Sequence, residues 1–246
     1  MTFYPKPNDQ LFQRNLDKAV CMARACEVNN VLITSKGEPL QRLDLIKQTV
    51  EYFKDFPLEI QTNGDMLVGM GVLDMLHYSG VDTIAISVDS VGRIKELEPI
   101  FVMASSYGFN LRLTVILTDL WKEKNVNTIL CYCLEQGIRQ LTFRKATYPK
   151  ISVAREESVK VMEWIDGNTK EEHYSLFDSL AKYMVEKNLI RVLPFGTAVY
   201  DALGIAVTVI PYCIQENHKS DDIRSLIYHQ DGHMYTSWDK QSSILF

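Results

Sequence analysis

Apolar runs return along this chain at a nearly constant interval, and that interval limits the fold more than any other feature. The runs are "VLIT" from Val31, "LEIQTNG" from Leu58, "TIAISVDS" from Thr83, "LRLTVIL" from Leu111 and "QLTFRKA" from Gln140. Their starts lie 27, 25, 28 and 29 residues apart. In the first run Val31, Leu32, Ile33 and Thr34 are mostly β-branched or apolar, which suits a buried strand. The gaps carry helical patterns, as in "QRLDLIKQTVEYFKDF", where Leu43, Ile46, Val50 and Phe53 fall on one face. Strand and helix alternating at this spacing predict βα units around a parallel sheet, either open or closed into a barrel.

The strand ends share a second property. They break into polar or turn residues: Ser35-Lys36-Gly37-Glu38-Pro39, Thr62-Asn63-Gly64, Ser87-Val88-Asp89-Ser90 and Arg144-Lys145. Parallel α/β folds gather their ligands at the carboxyl ends of the strands, so this recurrence favours a site there. Upstream, "NDQLFQRNLDKAVCMARACEVN" reads as a helix, with Asn8 or Asp9 as N-cap and Leu11, Leu16, Val20 and Ala23 along one face. No strand precedes it, so the repeat opens on α.

After about Pro149 the beat fails. "KISVAREESVKVMEWIDGNT" is irregular, "KEEHYSLFDSLAKYMVEKN" reads as a helix, "LIRVLPFG" supplies a further strand near Arg191, and the end holds a hairpin turning at Asp231-Gly232. The division expected is a βα unit over residues 1–150 and a small α+β extension over 151–246.

Composition excludes several classes. A net charge of −5 argues against a general nucleic-acid or anionic-membrane binder. The opening "MTFYPKPNDQ" is polar and proline-broken, unlike a secretory signal, and no stretch approaches the roughly 18 apolar residues of a membrane span. Five cysteines without framework spacing fit reduced thiols in a cytoplasm.

In order and location, these strand ends resemble the core of the radical S-adenosylmethionine (radical SAM) superfamily. "TSKGEP" is similar to the family's Gly-Gly-Glu-Pro segment, "TNG" to the end of its third strand and "ISVDS" to the end of its fourth, over residues 8–150. "DGHMYTSWD" resembles the C-terminal hairpin of some members. The resemblance implies a partial parallel (β/α)6 barrel of the TIM type, with its first strand missing here and a C-terminal α+β extension ending in a β-hairpin. It implies S-adenosylmethionine as cofactor, with Gly37, Glu38 and Pro39 facing the methionyl ammonium, which needs acceptors. Ser87 and Asp89 would lie near the ribose, Arg144 would fork onto the methionyl carboxylate, and Asn63 would wall the substrate cavity. Each has a plainer alternative: Glu38 as a solvated loop acid, Ser87 and Asp89 as helix caps, Arg144 paired with a surface acid.

The family's activity is reductive cleavage of S-adenosylmethionine to a 5′-deoxyadenosyl radical, which abstracts hydrogen from a small-molecule or peptide substrate. It requires a 4Fe–4S cluster on a Cys-x3-Cys-x2-Cys loop and a reductant such as flavodoxin or ferredoxin. That loop is absent from the sequence, and the resemblance implies that it and the first strand lie upstream of Met1. The cysteines present do not replace it. Cys21 and Cys26 stand about 140° apart around a helix, Cys131 and Cys133 about 200° apart, and Cys213 is alone. A two-residue turn at Asp231-Gly232 would pair Gln230 with His233 and put His229 on the opposite face, so no metal site is expected there. Two further readings stand beside the enzyme: a cluster-free nucleotide-binding or scaffold protein on the same fold, and an unrelated α/β barrel enzyme with a phosphate-bearing substrate.

Overall fold

In a computed structural model, the described residues are 5–35, 37–69, 71–121, 126–146, 156–169, 180, 182, 184, 188–193, 196–210, 223, 225–238 and 240–246. Lys36, Cys213 and nearly all of the helix expected over 170–188 lie outside them.

The chain opens on α1 (Asp9–Ala25), capped by Asn8, whose side chain accepts the Leu11 N–H at 3.0 Å. The parallel strands follow as β1 (Val31–Ile33), β2 (Leu58–Thr62), β3 (Thr83–Val88), β4 (Asn110–Leu117) and β5 (Gln140–Lys145). Between them run α2 (Leu43–Phe53), α3 (Val72–Tyr78), α4 (Val91–Glu96), α5 (Glu98–Ser106) and α6 (Val126–Glu135). β1 to β5 lie side by side in sequence order and every adjacent pair is parallel.

The sheet continues past residue 150. Beyond α7 (Glu156–Asn168) come β6 (Asn188–Val192), β7 (Ala198–Ala202) and β8 (Ile205–Ile210), giving the order β1-β2-β3-β4-β5-β8-β7-β6. The sixth parallel strand is therefore β8, and the strand at Arg191 is an antiparallel edge. Loop length explains the difference. A parallel return needs a dozen or more residues, whereas β7 and β8 are joined by Leu203-Gly204 alone. Both turn residues have positive φ, 57° and 80°, as a tight hairpin turn requires. The helix α7 was not apparent from its pattern because Val159, Val161, Met162 and Trp164 are all exposed.

The two faces of the sheet differ chemically. Ile84, Ile86, Val88, Leu111, Leu113, Val115, Leu141, Phe143 and Val207 are buried with helix residues such as Leu16, Ile46, Leu76, Ile100 and Leu130. Alternation sends the intervening residues to the other face. There stand Gln61, Ser87, Arg112, Thr114, Gln140, Thr142, Arg144 and Thr208, all half-buried except the exposed Ser87.

At the carboxyl terminus, β9 (Ile227–Tyr228) and β10 (Met234–Tyr235) form an antiparallel ribbon, with Tyr228 opposite Met234. The turn holds three residues: the His229 N–H donates to the His233 carbonyl at 3.0 Å, and the Gly232 N–H donates to the His229 carbonyl at 2.9 Å. The two-residue register is thus corrected, and His229 lies opposite His233 rather than Gln230 opposite His233. A glycine with φ near +81° closes this wider loop. The ribbon packs on α1: Asn15 donates to the Gly232 carbonyl at 2.8 Å, and the Tyr228 hydroxyl donates to the Phe12 carbonyl.

Candidate functional site

Three loops meet at the carboxyl edge of the sheet. Glu38 caps a 3₁₀ turn (Pro39–Arg42) by accepting the Leu40 N–H on Oε1 at 3.0 Å. The same oxygen accepts the Thr62 hydroxyl at 2.9 Å, and Oε2 accepts the Asn63 N–H at 2.8 Å. Glu38 therefore ties the end of β1 to the end of β2. It is no loosely solvated acid. A carboxylate has about four acceptor positions, and these donors take three of them. Gly37 is exposed and a Cβ there would meet nothing within 4 Å, so its backbone can be approached closely by a ligand.

Asn63 is tied into the same corner. Its Oδ1 accepts the Asp65 N–H at 2.9 Å and its Nδ2 donates to Asp65 Oδ2 at 3.0 Å. Arg93, from α4, donates to the Asn63 carbonyl at 2.9 Å, to Glu96 at 3.0 Å, and pairs with Asp65. Gly64 must be glycine: its φ is +87° and a Cβ would lie 2.7 Å from Leu97 Cδ2.

Ser87, Asp89 and Arg144 have no side-chain hydrogen bond or ion pair among the described residues. The helix cap belongs to Ser90, which accepts the Arg93 N–H at 3.2 Å, and Asp89 offers only its carbonyl, to the Thr118 hydroxyl at 2.6 Å. Register places Ser87 level with Thr114 and Thr142, and Arg144 level with Ile116 and Ile210. Two strand spacings, roughly 10 Å, separate the ends of β3 and β5. That span matches a ligand with separated polar ends, and a half-buried guanidinium flanked by isoleucines attracts a carboxylate or phosphate.

Deeper along the same face lies a network that the sequence reading passed over. Glu59 pairs with Arg112 at 2.7 Å, and Arg112 donates to Gln140 Oε1 through Nε at 2.9 Å and Nη2 at 2.7 Å. The pair reaches diagonally across β3, where Thr83 stands level with Glu59 and the small Ala85 level with Arg112. Burial pushes the Glu59 carboxyl above the usual carboxylate range, outweighing the opposing pull of Arg112 and a hydrogen bond from Gln61. The clue was present in the alternation of "LRLTVIL", where every second residue from Arg112 is off the apolar face.

The described cysteines do not fit an iron–sulfur cluster. Cys21 and Cys26 are exposed along α1 and its cap, Cys131 is exposed on α6, and Cys133 is buried with its thiol pushed up to about 12. A thiol so raised is a poor thiolate ligand. Among the described residues no three His, Cys, Asp or Glu side chains converge on a metal position. Nor is any described helix long and apolar enough to cross a membrane.

No family model matches the chain, and no curated protein matches it. Solved structures with partial likeness include Streptococcus suis SuiB, at TM-score 0.47 and 17% identity over 65% of this chain and 40% of that one. SuiB bound to precursor peptide SuiA gives TM-score 0.48 and 17% identity over 67% and 39%. Native anSMEcpe with bound AdoMet and Cp18Cys peptide gives TM-score 0.48 and 14% identity over 74% and 54%. The chain spans about two fifths of the length of SuiB. Likeness at this level assigns no activity, and the function has to be read from the chain's own residues.

Proposed function

We propose that the carboxyl edge of this sheet binds S-adenosylmethionine or a closely related adenosyl amino acid. The supporting observation is the trio Ser87, Asp89 and Arg144, polar side chains at the ends of β3 and β5 without partners among the described residues. Arg144 takes the methionyl carboxylate as a bidentate pair. Ser87 and Asp89 take the ribose hydroxyls, for which a hydroxyl and a carboxylate are matched partners. The Gly37 backbone and the remaining acceptor position of Glu38 face the ammonium, and Pro39 sets the turn that holds Glu38 in place. Asn63 acts on the site through its N–H bond to Glu38.

Radical cleavage of the bound molecule would require a 4Fe–4S cluster and a reductant, and the described cysteines do not supply the ligands. The reading for these residues is a binding site for the adenosyl ligand.

Calorimetric titration of the purified chain tests this. Saturable binding of S-adenosylmethionine is expected, with Arg144→Ala weakening it by about 1.5–3 kcal/mol, the range of a charged hydrogen-bonded contact. Because Arg144 has no ion-pair partner among the described residues, the variant should melt within about 1 °C of the parent. Equal affinity in parent and variant would remove the assignment.

A further inference from the structure

We infer a second subsite on the polar face, beside Ser87 and one level below Arg144, that takes an uncharged group able both to donate and to accept hydrogen bonds. Thr114, Thr142 and Thr208 stand level with one another on three adjacent strands. Thr142 and Thr208 share a hydrogen bond of 3.0 Å, while the Thr114 hydroxyl has no partner among the described residues. Below them lies the bond network of Arg112, Glu59 and Gln140.

A threonine row is also what an ordinary solvent-facing sheet carries, because threonine favours strands. Two residues on this face argue against that. Glu59 is only 5% exposed and Ala85 only 1%, although both stand on the side away from the main core. A flat face open to water would expose them, so the face is recessed at their level, with the exposed Ser87 at its rim beside the threonines. A recess lined by hydroxyls and amides satisfies those groups with water or with a ligand of the same chemistry.

The charge of that ligand follows from the floor. Arg112 spends its Nη1 on Glu59 and its Nε and Nη2 on Gln140, so the positive and negative groups below the threonines neutralise each other. A second anion or cation seated there would lose its hydration and find no free counter-charge. A carboxamide or an alcohol meets hydroxyls that adapt to either role. Arg144, one level higher, remains the place for an anion.

The subsite is tested on the full chain with threonine and isoleucine methyl groups labelled for NMR, titrated separately with acetamide, ethylene glycol, acetate and methylammonium. The expected result is saturable movement of the Thr114, Thr142 and Thr208 methyls with acetamide or ethylene glycol. Whichever of the two binds tighter identifies an amide or a hydroxyl ligand. Acetate should move Ile116 and Ile210 instead. Thr114→Val, which keeps the methyl and removes a hydroxyl without a described protein partner, should weaken the neutral probe about fivefold. Thr142→Val serves as a second variant. Acetate or methylammonium moving the threonine methyls as strongly as the neutral probes would overturn the inference, as would purely linear shifts or unchanged affinity in both variants. A parallel titration with S-adenosylmethionine keeps the two readings separate, since either ligand can fail while the other binds.

Discussion

Glu38 and Glu59 show how one residue type serves two ends in this fold. Glu38, with three donors on its carboxylate, fixes a corner. Glu59 sits where desolvation wins over its partner, and its carboxyl is held above the ordinary range. A carboxyl whose folded-state pKa exceeds its unfolded value contributes stability while protonated and loses that contribution as pH rises through the folded value. The parent should therefore lose part of Glu59's contribution as pH rises through the range just above the ordinary carboxylate value, and Glu59→Gln, uncharged throughout, should not. Thermal melts across that range should show the variant gaining on the parent as pH rises. A difference that moves the opposite way would mean that Arg112 dominates the site. The Glu59–Arg112 pair was hidden in the sequence because its members lie 53 residues apart and meet across an intervening strand.

At the scale of elements, what the sequence made plain was what local periodicity controls. The parallel strands β1 to β5, the buried faces of α1 and α2 and the Asn8 cap all follow from apolar spacing and a polar cap residue. What it obscured depended on long-range pairing. Nothing in "LIRV" says that its strand is an antiparallel edge, and nothing in "IAVTVI" says that it pairs with β5. In the candidate site, the strand-end residues were visible as breaks in the pattern, but the allocation of partners was not. Asn63 is held by Asp65 and Arg93, which its own segment of sequence does not announce. That corner gives a prediction for an element: Arg93→Ala removes the bond to the Asn63 carbonyl and the pairs with Asp65 and Glu96. Hydrogen exchange should speed up at Asn63–Asp65, with the central amides of β2 unchanged. Equal acceleration along β2 would mean that the whole strand depends on Arg93.

Across the whole molecule, the two ends of the described chain are fastened together. The Asn8 N–H donates to the Gln230 carbonyl at 2.9 Å, Asn15 donates to the Gly232 carbonyl, and the Phe246 carbonyl accepts the Met234 N–H at 3.2 Å. The first helix, which no described strand precedes, is thus braced by the last ribbon. Gly232 is the point of closest approach: a Cβ there would lie 2.5 Å from the Leu11 carbonyl carbon and the Phe12 nitrogen, both backbone atoms. Gly204 supplies the control, with a similar φ of +80° and nothing within 4 Å of its Cβ position. Gly204→Ala should cost only the left-handed strain, about 1–2 kcal/mol. Gly232→Ala should cost that strain and also force the ribbon away from α1, a larger loss in denaturant unfolding. Protection of the α1 amides against exchange should fall in the second variant alone. Equal costs, with α1 equally protected in both, would show that the ribbon is an appendage and that α1 is held by the sheet and α2 without it.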